Sequence, residues 1–492
     1  MSAHLPVLLV VVPLLAAAVT PLVAFHSARL ARGVTLAALA ATVIIACSAL
    51  DRALEVGVIR YHLGGWPPPW GIEYVVDPLA GGMAVLIAAF GLIAAVYAGP
   101  FLATVPRLGA GGFHALYLLL VTGLLGMTVT GDLFNLYVFL EISSLAVYAL
   151  IALGGPLGVV ASLRYLMLGT VAGSFYLLGV GYLYALTGTL NMADMAVRLA
   201  PLGDSPGVSV GVALIVVGLA IKMALFPLHG WLPDVYTFAP TPVTGLVAAV
   251  MTKVSAYAML RILFFVVTPA AVTADILVLL GWAAAVAVVA GSAMALAQTN
   301  VQRMLAYSSI GQMGYIVMGI AIGTPLALTG ALLHILNHAV MKGCLFLTAG
   351  GVLFQTGAED VAGYAGAARR LPVGMAAFAI AAASLVGLPP TGGFFSKWYL
   401  LLAAVDGGLW PFALALVISS LMTAVYLFRV IERSYFAETP DAVRPHGLLR
   451  ELPAGMLAPI VLLAASTLLI GILNQSIVTQ IIAFALPAPG GR

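Results

Sequence analysis

Apolar stretches of roughly 18–28 residues follow one another along the whole chain, broken by short polar or Gly/Pro-containing connections. Stretches of that length match the thickness of a bilayer's hydrocarbon core. The alternating pattern of about ten residues per strand that marks an outer-membrane barrel does not occur. The pattern predicts an all-α polytopic membrane protein with fourteen spans, near residues 5–24, 30–50, 77–99, 113–130, 132–153, 161–186, 208–237, 242–264, 273–295, 302–322, 327–354, 372–406, 408–431 and 455–482. The spans at 208–237 and 372–406 are too long for single helices and contain prolines, so each is expected as two half-helices.

Composition agrees with this reading. Hydrophobic residues make up 63% of the 492 and charged ones only 8%, whereas a soluble domain carries about 25% charged residues. The net charge of +3 adds little. The two cysteines, Cys47 and Cys344, lie in apolar runs, so no disulfide framework or metal site is expected. The stretch from Leu5 to Ala24 has no Lys or Arg before it and reads as a retained span rather than a signal peptide. The connections at 51–76, with LGGWPPPWG, and at 432–454 are the longest, and Trp66 and Trp70 suit an interfacial turn. Neither connection is long enough for a soluble domain, and residues 1–492 read as one membrane domain.

The basic residues divide by type. Arg29, Arg32, Arg107, Arg164, Arg303, Arg369, Arg370, Arg429, Arg433, Arg444 and Arg450 fall in connections or segment ends on one side, against Arg52, Arg60, Arg198, Arg261 and Arg492 on the other. This bias predicts both termini on the outer side of a cell membrane. All four lysines, Lys222, Lys253, Lys342 and Lys397, instead lie inside apolar runs. A central lysine costs roughly 2.5–3.5 kcal/mol on insertion scales, so four lysines and a glutamate cost on the order of 10 kcal/mol before pairing. A guanidinium stays charged, whereas a desolvated ammonium can lose its proton. Lysines kept at that cost point to proton chemistry.

Glu141 is the one acidic residue deep in a span, nine residues beyond Asp132 and so about 13 Å along the helix axis. Asp132 itself suits the helix N-terminus. A carboxylate at the depth of Glu141 must be neutral or paired, and lysine is the cation available there. Lys222 precedes the breaks expected at Pro227 and Pro233, while Lys397 follows the double proline Pro389–Pro390. Such an arrangement is expected of inverted repeats, placed at approximately 113–264 and 273–431, with a site at the midplane. In LLHILNHAVMKGCLF, His334, His338 and Lys342 stand four residues apart and drift by about 40° per step, forming one polar stripe. The two histidines have metal-ligand spacing but no acidic third ligand, so a proton-conducting stripe fits better.

The segments GDLFNLYVFLE, YALTGTLNMADM, IKMALFPLHGWLPDVYTFAPTPVTGLVAAVMTKV and GLPPTGGFFSK closely resemble the antiporter-like subunits shared by Mrp sodium/proton antiporters, respiratory complex I and membrane-bound hydrogenases. LGGWPPPWGIEYVVDPLA and TGTLNMADM look most like the D-type member of the Mrp set. His334, His338, Lys342 and HGWLPD are closer to the complex I and hydrogenase relatives. The resemblance implies fourteen helices, two inverted five-helix repeats and a polar axis along the midplane. It makes Glu141 the partner of Lys222, Lys253 the connecting lysine and Lys397 the terminal one.

The expected function is therefore proton translocation within a multisubunit Na⁺/H⁺ antiporter, alongside other membrane subunits and lipid. The alternative within the family is a proton-pumping subunit of a hydrogenase or of a complex I-type NADH:quinone oxidoreductase. The alternative from another class is a small-solute transporter or a non-transporting scaffold. A solute carrier would need Asn, Ser or aromatic groups converging on a cavity, whereas here the intramembrane polar groups are nearly all titratable. No phosphate loop, dinucleotide fingerprint or iron–sulfur cysteine set occurs, so no enzymatic chemistry, cofactor or nucleic-acid partner is expected in this chain.

Overall fold

A computed structural model describes residues 4–103, 107–203, 205–267, 271–438 and 451–486. Arg444, Arg450, Arg492 and most of the 432–454 connection lie outside the described residues.

Helices α1 (Leu5–His26) and α2 (Ala28–Val56) lead to a hairpin of β1 (Ile59–His62) and β2 (Glu73–Val76). Helices α3 (Pro78–Leu102), α4 (Arg107–Val129), α5 (Leu133–Ala152), α6 (Pro156–Thr187) and the short α7 (Met192–Leu199) follow. The first broken pair is α8 (Pro206–Lys222) and α9 (Leu232–Phe238). Next come α10 (Thr241–Val266, with π-turns at Val247–Met251 and Ile262–Val266), α11 (Ala271–Leu296), α12 (Val301–Ile322) and α13 (Pro325–Thr356). The second broken pair is α14 (Pro372–Val386) and α15 (Gly392–Asp406), followed by α16 (Trp410–Phe436), α17 (Ala454–Ile472) and a tail of short turns from Asn474 to Ala485. Among the described residues, twelve helices are long and apolar enough to cross a membrane.

Short polar side chains start many of these helices. Asp77, Asp132, Asn191, Asn300 and Thr324 each accept a hydrogen bond from the main-chain N–H three residues on, satisfying one of the donors a helix start leaves free. Helices α10 and α13 are almost wholly buried, while α1, α2, α6 and α16 face outward along much of their length. The polar residues of α10 and α13 therefore lie at the centre of the bundle.

The structure refines three expectations. The 51–76 connection contains a hairpin, with Ile59 opposite Val76 and His62 opposite Glu73, while Trp66 and Trp70 stay exposed at its tip. The first break begins at Met223, so Pro227 lies beyond the helix end. Pro233 does not break a helix: it is the second residue of α9, a position where a missing N–H costs nothing. Pro389 and Pro390 lie between α14 and α15, as the sequence predicts.

Candidate functional site

Lys222 is the last residue of α8, with Met223 as the cap and Ala224 in the left-handed region at φ 57°. Its Nζ lies 3.7 Å from Glu141 Oε1 on α5, within ion-pair range but beyond a hydrogen bond. The ammonium instead donates to Ser144 Oγ at 2.7 Å and reaches the Tyr148 hydroxyl at 3.5 Å. It also sits about equally far, 5.9 and 6.0 Å, from the ring centres of Tyr148 and Tyr165. Trp231 stacks on Tyr165 at 3.8 Å and donates to the Ile221 carbonyl at 2.8 Å, serving one of the acceptors the helix end leaves free.

Two glycines of α6 form the wall over this pair. A Cβ on Gly173 would lie 2.6 Å from Glu141 Oε1, and one on Gly169 would collide with the Tyr148 hydroxyl and lie 3.4 Å from Lys222 Nζ. Lys222 is buried, but the Glu141 side chain is 26% exposed. It shares the outward face of α5 with the exposed Phe134, Val138 and Leu145.

Lys253 is fully buried on α10 and donates to the main-chain carbonyl of Ala248 in the π-turn. Lys342, fully buried on α13, donates to the Leu305 carbonyl at 2.8 Å and to Ser308 Oγ. On the same helix as Lys342, the rings of His334 and His338 are parallel, 5.9 Å apart. His334 is held at both nitrogens, by Ser396 Oγ and Gln312 Oε1, each at 3.0 Å. Neither nitrogen of the fully buried His338 meets a hydrogen-bond partner.

Lys397 belongs to α15, yet its Nζ donates back across the break to the Leu385 and Val386 carbonyls of α14, at 2.7 and 3.1 Å. A helix C-terminus carries partial negative charge, which favours a cation there. Ser420 Oγ, at 3.1 Å, takes the third contact. The ammonium lies 4.9 Å from the centre of the Tyr315 ring, and that ring stacks on His334 at 5.3 Å.

The predicted residues thus fall into three groups. Glu141 and Lys222 make the first. Lys253, His338 and Lys342 share the centre, and His334 and Lys397 meet through Tyr315 and Ser396. The sequence reading missed the neutral residues that hold the charges in place: Ser144, Tyr148, Ser308, Gln312, Tyr315 and Ser396. Only the first two left a trace, as Ser144 and Tyr148 lie three and seven residues beyond Glu141, on the same face of α5.

It also missed two ion-pair clusters at the helix ends. Asp234 on α9 pairs with Arg164 of α6 and, at 3.2 Å, with Arg303 of α12. Asp77 pairs with Arg261 through two bonds of 2.5 and 2.7 Å. Burial pushes the Asp77 carboxyl up, but the charge and hydrogen bonds of Arg261 outweigh that effect and leave it below its ordinary value of 3.8. Among the described residues, no three His, Cys, Asp or Glu side chains converge to hold a metal ion.

Residues 130–423 match the family model described as NADH:quinone oxidoreductase/Mrp antiporter, TM. The chain is 55% identical to the N subunit of NADH-quinone oxidoreductase from Desulforudis audaxviator, covering 99% of both chains. It is 31% identical to the D subunit of the Na(+)/H(+) antiporter from Bacillus subtilis, over 89% of this chain and 87% of that one. Among solved structures it matches a chain of the membrane-bound sulfane sulfur reductase, an archaeal respiratory membrane complex, with a TM-score of 0.90 and 32% identity over 98% of this chain and 97% of that one. A chain of the Mrp complex from Dietzia matches with a TM-score of 0.89 and 27% identity, over 99% and 98%.

Proposed function

Because the chain belongs to the NADH:quinone oxidoreductase/Mrp antiporter family, we propose that it is a proton-translocating, antiporter-like subunit of a multisubunit membrane complex. Protons move between the Glu141–Lys222 pair and Lys397 by way of Lys253, His334, His338 and Lys342. The observation that carries this reading is the Glu141–Lys222 pair at a helix break, 3.7 Å apart and not locked by a hydrogen bond. When Glu141 approaches, Lys222 holds its proton; when Glu141 withdraws, the buried ammonium loses its counter-charge and gives the proton up. The unpartnered nitrogens of His338 supply the acceptor and donor that a relay between Lys253 and Lys342 needs, with bridging water completing it.

Glu141 is the natural point of control, since its exposed edge lies on an apolar face that a neighbouring membrane subunit would cover. Each broken pair crosses the membrane once, giving fourteen spans in two inverted repeats. Arg52, Arg60, Arg198 and Arg261 belong to the end of the bundle that carries the hairpin, and that end faces outward.

Two assemblies remain as alternatives. The 55% identity to an oxidoreductase N subunit weighs toward a redox-driven quinone complex, and the likeness to an antiporter D subunit toward a Na⁺/H⁺ antiporter. Purification of the tagged chain with its co-assembled subunits distinguishes them. The transport reading is tested in vesicles containing that complex. Glu141→Ala, Lys222→Ala, Lys253→Ala and Lys397→Ala should each assemble and lose proton-coupled transport. Normal transport in the Lys253 and Lys397 variants would instead leave the chain a scaffold.

A further inference from the structure

On α10, Lys253, Tyr257 and Arg261 recur every four residues and so form one stripe, about 12 Å long, from the bundle centre to the end that carries the hairpin. Such a stripe resembles the start of a path straight across the membrane. Its hydrogen bonds run the wrong way for that. A proton wire needs every member to accept from one side and donate to the other. The Tyr257 hydroxyl donates to the Thr128 carbonyl at 2.7 Å, a main-chain acceptor left free at the end of α4. Its own oxygen accepts from Arg261 Nη2 at 3.0 Å.

Both functions of the hydroxyl are therefore used, one by a carbonyl that cannot pass a proton on and the other by a guanidinium that does not release one. Arg261 is fixed in turn by the two hydrogen bonds it donates to Asp77 and by the Phe265 ring, whose centre lies 4.6 Å from the guanidinium carbon. Its side chain is 13% exposed and that of Asp77 15%.

We propose that Tyr257, Arg261 and Asp77 form a proton-insulating plug that closes the hairpin end above Lys253, leaving a proton on Lys253 only the lateral route toward α13 and α15. This inference rests on the reading of Lys253 as a proton carrier. Held below its ordinary value, Asp77 keeps its charge at neutral pH and with it the clamp on Arg261.

The test is passive proton conductance of the assembled complex in proteoliposomes under an imposed pH gradient, with no driving reaction. Asp77→Asn/Arg261→Gln removes both charges together and leaves neither unpaired. Its conductance should rise about tenfold, the factor for a barrier lower by about 1.4 kcal/mol. Arg261→Lys keeps the cation and the pairing with Asp77 but can release a proton, so it should leak as well, where a purely structural role for Arg261 leaves it tight. Adding Lys253→Met or Tyr257→Phe to either leaky variant should restore tightness. The plug is overturned if Arg261→Lys assembles and is as tight as the parent, or if the leak persists after Lys253→Met. Driven transport by the Glu141 and Lys222 variants is a separate measurement, so failure of the plug and failure of the proton-carrier reading are distinguishable.

Discussion

The coupling between Glu141 and Lys222 can be measured without any transport assay. Glu141→Gln and Lys222→Met each remove one charge at nearly constant volume, and the double variant removes both. At an effective dielectric of about 20, unit charges 3.7 Å apart attract by about 4.5 kcal/mol. The exposed edge of Glu141 lets solvent or lipid headgroups screen part of this. Ser144 and Tyr148 also continue to hold Lys222 when Glu141 is gone. We therefore expect a coupling of about 1–3 kcal/mol, between the surface and fully buried limits. In SDS titrations of the purified chain in mixed micelles, followed by tryptophan fluorescence, the double variant should be less destabilised than the two single losses combined, by that amount. Strict additivity of the single variants would refute the pairing.

The remaining predictions test position and charge. Gly173→Ala deletes no charge but places a methyl group against Glu141 Oε1, so driven proton transport should fall on the order of 10–100-fold. Gly181→Ala on the same helix, where a Cβ meets nothing, should leave transport unchanged. Because the folded-state pKa of Asp77 lies below 3.8, its pair with Arg261 stabilises the protein above that pH and stops doing so as the pH falls through the lowered value. The thermal midpoint of Asp77→Asn should therefore lie below the parent's at pH 7, with the gap closing under strong acid; an equal gap at both would contradict the assignment.

Much of this site is legible in sequence because a charged residue in an apolar run stands out. Glu141 and the four lysines are visible without any structure, and Pro227 and Pro389–Pro390 mark the two breaks, although Pro233 does not break a helix. The groups that hold those charges are not visible, since Ser144, Ser308 and Ser396 are common in spans and gain meaning only from the helix opposite. The ion pairs at the helix ends join residues far apart in the chain, 184 positions in the case of Asp77 and Arg261. The side-of-membrane bias of the arginines also conceals their individual work. Arg164 and Arg303 count toward that bias, yet they are equally the two partners of Asp234. The hairpin is hidden for another reason: its strands have four residues each, too few for an alternating pattern to register.

Lys397 has three ammonium protons and three acceptors around it: two carbonyls of α14 and the hydroxyl of Ser420. Loss of one proton would leave a neutral amine with two donors and a lone pair, so that the Ser420 hydroxyl would have to turn from acceptor to donor or one carbonyl of the broken helix end would lose its partner. If Lys397 carries a proton as proposed, it would then act as a latch between two half-helices as well as a carrier of charge.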